Sequence, residues 1–364
     1  MDPRKTTPLL LSLALWAAPA GAEFKVCAST PSLGLAANAD LDAEVWQEAD
    51  GEKHQFSDDV YGTLKDYLDR ARLSLARPVP SLAGFAEITS SEVARLPVTF
   101  KTQGIAFDGA TPLFSWRYGL QRTDARYKET LTRPLAIPPD IQAAHYDPAR
   151  RNGFSHIGDI DVAGGRLLAP IEDEDNRTKP FIALFDPKTL EYTGEKHLLP
   201  VDKLPHGVPW VAADAERRLF YTMNWNSQDL QVFSLDDFRW LRTVPLSVVR
   251  GTSPVVRVQG GKVHEGMLYL SSDAPGRKRV YKVDPDGGGA LELFGFDEPE
   301  KAASQGLAFG PDGSLHILVL APYSYDEVFG PQYEINGDDW NPASKLLHFT
   351  RVKAPLRQRL CASP

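Results

Sequence analysis

An all-β fold made of repeated four-stranded antiparallel sheets is predicted by three features of this sequence. After about residue 86 the chain reads as short apolar strands bounded by turn signals such as "AGG", "DPK", "DPDGGG" and "PDG". The same strand types return in the same order. They return with a period near 50 residues.

Each repeated element is visible in turn. One is an apolar strand that ends in an acid or a turn: "FIALFDPKTL" (181–190), "LQVFSLDDF" (230–238) and "RVYKVDPDG" (279–287), with Asp186, Asp236 and Asp284 spaced 50 and 48 residues apart. A second is a turn followed by a hydrophobic strand, as in "GGRLLAPIED", "ERRLFYTMNW", "EGMLYLSSD" and "DGSLHILVLAP". The third is a polar residue at the start of the preceding strand. Aligning the hairpins puts Gln103, His156, His206, Arg257 and Gln305 in one repeat position, with spacings of 53, 50, 51 and 48. Four short strands in about 50 residues make a unit the size of a β-propeller blade. One such sheet cannot bury both faces, so several must stack in a ring. Five blades are expected across residues 86–353, with six as the alternative if the N-terminal region hides another.

The ends of the chain read differently. Residues 1–22 have a basic start (Arg4, Lys5), an apolar run from Leu9 to Ala18, and small residues Ala20 and Ala22, the layout of a secretory signal peptide. That run is shorter than the about 20 apolar residues a membrane span needs. A secreted or periplasmic location is therefore expected, with no membrane span. Residues 23–85 form an N-terminal extension whose helical pattern starts at Ser57 and stops before Pro78, and residues 86–364 form the propeller. Cys27 and Cys361 are the two cysteines, and the exported setting predicts a disulfide between them.

The "PDG" turns and the apolar strands ending in Phe-Asp resemble those of the secreted β-propellers grouped as YVTN, NHL or gluconolactonase-like proteins. The resemblance spans most of the chain after residue 22 and implies fold, not activity. It includes no single family's catalytic motif. Gluconolactonase-like sites lean on Glu, Asn and Asp as Ca²⁺ ligands, whereas this chain sets His and Gln in the repeat position.

Composition excludes some partners. Net charge is -8 with acids and bases interspersed, so nucleic acid is not expected. The sequence carries no G-x-S-x-G, no H-E-x-x-H, no P-loop and no dinucleotide fingerprint. Serine-hydrolase, zincin and nucleotide-driven chemistry are disfavoured.

Propeller geometry predicts where polar residues meet. The innermost strand of each blade starts on one face of the disc, and the loop after the second strand returns to that face. The mouth on that face would gather His156, His206 and Arg257 as catalytic candidates. Gln103, Gln305, Asn224, Trp225, Asn226 and Tyr323 would bind ligand there. His156, His206, Glu172 and Asp173 would hold a divalent metal, a transition metal from the imidazoles or Ca²⁺ from the acids. Arg257 would fork onto a carboxylate or phosphate. Asp159 and Asp161 either cap a strand turn or run along the inner strand. Two functions fit. One is an enzyme, a hydrolase of lactones or esters or a β-eliminating lyase, acting on a small anionic or sugar-derived substrate. The other is a non-catalytic propeller, expected to be monomeric, that holds a glycan, a small ligand or a protein at its mouth.

Overall fold

The protein is seen in a computed structural model that describes residues 46–48, 54–55, 100–143, 156–172, 179–251, 253–274, 277–296, 302–320 and 344–351. The predicted helix at 57–76, the predicted signal peptide and both cysteines lie outside the described residues.

The described residues form five sheets. Two short strands, β1 (Trp46–Glu48) and β2 (His54–Gln55), come first in the chain but belong to the last sheet. Blade 1 is β3 (Gly104–Asp108), β4 (Thr111–Trp116), β5 (Gly119–Thr123) and β6 (Glu129–Arg133), followed by the short helix α1 (Pro139–Ala143). Blade 2 has a broken inner strand, β7 (His156–Ile157) and β8 (Asp161–Ala163), then β9 (Arg166–Glu172), β10 (Phe181–Phe185) and β11 (Tyr192–Leu198). Blade 3 is β12 (Ala212–Asp214), β13 (Leu219–Met223), β14 (Asp229–Ser234) and β15 (Trp240–Pro245). Blade 4 comprises β16 (Ser247–Arg250), β17 (Val258–His264), β18 (Met267–Ser272), β19 (Lys278–Val283) and β20 (Gly289–Phe296), with β16 added parallel to β20 at the outer edge. Blade 5 is β21 (Ala303–Phe309), β22 (Leu315–Leu320) and β23 (Ser344–Arg351), completed on the outside by β1 and β2.

Burial explains the strand compositions. Second strands such as β18 and β22 are buried at every position, because both their faces pack on neighbouring blades. Fourth strands such as β6 and β11 have only half-buried and exposed residues and carry charges. Apolar side chains fill the gaps between consecutive blades: Leu113 with Leu167, Leu184 with Phe220, Val232 with Leu268, Val280 with Ile317, and Phe114 with Leu318. The last of these clusters joins blade 5 to blade 1. Five sheets therefore close the ring, and the six-bladed alternative is set aside. Closure uses β1, whose Trp46 pairs with Arg351 of β23.

The axis of the ring is filled by one carboxylate. Asp159 is fully buried, and its Oδ1 accepts the Ile105 N–H of blade 1 at 2.9 Å. Its Oδ2 accepts the Lys262 ammonium at 2.8 Å and the Gly261 N–H at 3.3 Å from blade 4, and the Leu307 N–H at 3.4 Å from blade 5. Its backbone bridges to blade 3, with its N–H on the Pro209 carbonyl and its carbonyl on the Val211 N–H. One residue thus bonds to the inner strand of every other blade. Glycine permits this crowding: a Cβ on Gly158 would sit 2.0 Å from the Pro209 carbonyl oxygen, and one on Gly306 would sit 2.8 Å from Gly104 Cα. Burial pushes the Asp159 carboxyl up to about 6 against the opposing pull of Lys262, and burial raises that of Asp161 as well. The Asp159 side chain therefore does not face solvent as a strand-turn cap.

The hub also corrects the repeat register. Ile105, Gly261 and Leu307 all donate to Asp159. Counting back two residues from each gives Gln103, Gln259 and Gln305 as one structural position, and Arg257 precedes it by two residues. The hairpin alignment had matched chemical type where the hydrogen bonds match backbone.

Candidate active site

The mouth is built from the ends of inner and second strands. His156 opens β7 and pairs across the sheet with Glu172, the last residue of β9. In this pairing the two side chains share a face, and His156 Nδ1 lies 3.0 Å from Glu172 Oε1. Glu172 is buried, and its other oxygen accepts the Val208 N–H of blade 3 at 2.7 Å. Its carboxylate only accepts, so Nδ1 carries the proton. His156 Nε2 lies 2.8 Å from Gln103 Oε1 of blade 1. A carboxamide offers an acceptor on one side and donors on the other, so Gln103 can serve Nε2 with or without its proton by turning.

The rim continues through blade 3. Asn224 is buried, accepts the His206 backbone N–H at 3.1 Å and donates to the Lys203 carbonyl at 3.0 Å. His206 touches the rim through its backbone, and its side chain is exposed. Trp225 follows, half-buried, with the Arg257 guanidinium 4.6 Å above its ring. Arg257 has a φ of 52°, unusual outside glycine. Two backbone bonds hold it there, from its N–H to the Trp225 carbonyl and from the Asp273 N–H to its own carbonyl. Its Nη2 donates to Asp273 Oδ2 at 3.1 Å, while its buried Nε meets no acceptor among the described residues. The Asp273 Oδ1 accepts the Lys278 ammonium and, at 3.0 Å, the Ser304 N–H of blade 5.

The structure thus brings together Gln103, His156, Glu172, Asn224, Trp225 and Arg257 along one arc of the mouth. It leaves Asn226 exposed, and Gln305 is buried with its carbonyl accepting the Ser271 hydroxyl. Asp173 and Tyr323 lie outside the described residues. Of the residues predicted to hold a metal, the three described ones, His156, Glu172 and His206, are not grouped to hold an ion by themselves. Both ring nitrogens of His156 already have protein partners. Among the described residues, no group of three His, Cys, Asp or Glu side chains is placed to hold an ion. The sequence reading missed Asp273, Lys278 and the role of Val208. Asp273 ends the quoted "EGMLYLSSD" segment, but nothing in the sequence marks it as the partner of Arg257.

Comparison with known proteins adds only fold. No family model and no curated protein matches the chain. Solved structures similar to it include a glutaminyl cyclase of Myxococcus xanthus, at 13% identity and TM-score 0.42 over 70% of this chain and 93% of that one. Another is a gluconolactonase of Xanthomonas campestris, at 15% identity and TM-score 0.39 over 70% and 74%. A third is the hydrazine synthase of Kuenenia stuttgartiensis, at 15% and TM-score 0.37 over 71% and 64%. Likenesses this distant carry no assignment of activity. The five-bladed ring is read from this chain's own sheet order.

Proposed function

We propose that this chain is an exported enzyme whose mouth performs acid–base chemistry on a small anionic or sugar-derived substrate, with lactone or ester hydrolysis as the favoured reaction. The observation that carries this reading is the Glu172–His156–Gln103 line. Buried Glu172 fixes the imidazole tautomer and leaves Nε2 as the working nitrogen. When Gln103 turns aside, Nε2 takes a proton from a water that attacks the substrate carbonyl. The imidazolium so formed is stabilised by Glu172. It then returns the proton to the departing alkoxide oxygen, so acid and alcohol leave and the enzyme is restored. Arg257, its guanidinium over the Trp225 ring and its side chain still 31% exposed, presents an edge to a substrate anion. Export is supported by the layout of residues 1–22.

The experiment is a screen of purified protein against lactones, simple esters and uronate-type substrates, with Glu172→Gln and His156→Gln beside wild type. Turnover that falls by about 10²-fold or more in both variants supports the dyad. Turnover that survives in both rejects it. Arg257 and Trp225 also suit a propeller that binds without turnover. That reading takes over if no substrate reacts but calorimetry finds an anionic sugar whose binding is lost in Trp225→Ala.

A further inference from the structure

On the face opposite the mouth, between the last blade and the first, three metal-ligating atoms converge. His316 of β22 and His348 of β23 are direct cross-strand partners, with ring centroids 4.1 Å apart. Both side chains are nearly buried, at 4% and 8% exposure. Tyr127, on the turn between β5 and β6 of blade 1, reaches across the seam. Its hydroxyl lies 3.4 Å from His316 Nδ1 and 3.2 Å from His348 Nε2. The first is longer than a usual hydrogen bond and the second is at the long end of one, a range of about 2.7–3.2 Å. Both are also near the spacing of atoms that share one ion. A tetrahedral ion with bonds of about 2.0–2.1 Å holds its ligand atoms about 3.3–3.4 Å apart.

The surroundings set the tautomer that a ligand needs. Ser314 Oγ lies 2.6 Å from Asp312 Oδ1 and gives that carboxylate its single proton. It lies 2.8 Å from His316 Nε2 and must therefore accept there. His316 carries its proton on Nε2 and turns the lone pair of Nδ1 toward Tyr127. A metal-bound imidazole with its second nitrogen tied to an oriented acceptor shows the same arrangement. Tyr127 itself is fixed in a left-handed conformation at φ 61°, with Asp124 Oδ1 accepting the N–H groups of Arg126 and Lys128 on either side.

We propose that Tyr127, His316 and His348 form a site for a divalent first-row transition ion, zinc foremost, which clamps blade 5 to blade 1. The two imidazoles and the phenolate supply three ligands, and water supplies the fourth. Binding exchanges the phenol proton for the metal and releases it to solvent, so affinity rises with pH. The site is independent of the mouth and of its chemistry.

The test uses Co²⁺ as an optical probe on the full chain stripped by chelator. Equilibrium dialysis should find one Co²⁺ per chain, with the intense visible bands of four-coordination. Tyr127→Phe keeps the ring and loses only the oxygen, and it should weaken binding tenfold or more. His348→Gln should do the same, and His156→Gln at the mouth should leave Co²⁺ binding unchanged. Zinc should raise the Tm of wild type and not that of Tyr127→Phe. Absence of Co²⁺ uptake by wild type overturns the site. So does wild-type affinity in Tyr127→Phe, whether or not the His348 variant folds.

Discussion

The axis and the mouth of this ring use the same chemical groups to opposite ends. At the axis, Asp159 and Lys262 are shut away from water, and each oxygen of the carboxylate has named partners in other blades. At the mouth, Glu172 is just as buried, yet it holds a histidine that still meets solvent at 12% of its side chain. A charge with all its partners inside the protein holds structure. A charge that aims another titratable group at an opening has the means to do chemistry. Burial alone does not separate these two carboxylates, and what each one orients does.

The comparison breaks first at the axis. Asp159→Ala strips acceptors from three inner strands and leaves the Lys262 ammonium buried without its partner. Loss of about 3–5 kcal/mol is expected, read as a fall in the urea midpoint or failure to fold. A second test of the axis is pH. The Asp159 carboxyl is raised from 3.8 to about 6 in the fold, so the folded state holds a proton that the unfolded state has released across that interval. Stability from this group is therefore greatest below pH 4 and is lost as pH rises to 6. Asp159→Asn does not titrate there. The difference between wild-type and variant urea curves at pH 4 and pH 7 should show this loss, and a difference that grows with pH would place the carboxyl below its ordinary value.

At the mouth the expected losses are smaller. Glu172→Ala leaves the Val208 N–H and His156 Nδ1 without their acceptor, which should cost about 1–3 kcal/mol and remove activity. The smallest effect belongs to the exposed Arg218–Asp236 pair on blade 3. Asp236→Asn should change stability by less than about 1 kcal/mol, as surface ion pairs do. A large effect there would mean that burial does not set the order of these sites.

The ring was legible from the strand repeat because each blade buries its second strand on both sides and so writes a continuous apolar run. The aspartates at 186, 236 and 284 mark the third-strand turns for the same reason. Asp186 and Asp284 cap their turns, Asp186 on the N–H groups of Lys188 and Thr189 and Asp284 on that of Asp286, whereas Ser234 holds this place in blade 3 and Asp236 pairs with Arg218. The last blade's outer strand was not legible. "WQE" and "HQ" are too short to alternate, and they become strands only because β23 offers an edge. Repeat position puts Gln103 and His156 in one ring and Glu172 in a loop at the same mouth without pairing them, and it misplaces Arg257 by two residues. Hairpin spacing fixes a blade to within a few residues. Only the hydrogen bonds of Asp159 fix it to one, and those join residues as far apart as Ile105 and Leu307.

Closure by β1 has a consequence in time. Trp46 meets Arg351 across almost the whole length of the chain. A chain emerging from its amino end can stack blades 1 to 4 as they appear, but the last blade has no outer strand until the first-made segment returns to it. Sealing the ring is then the late, slow step, set by the search of two distant ends for each other. Until it is done, the outer edge of β23 stands open to any neighbouring chain.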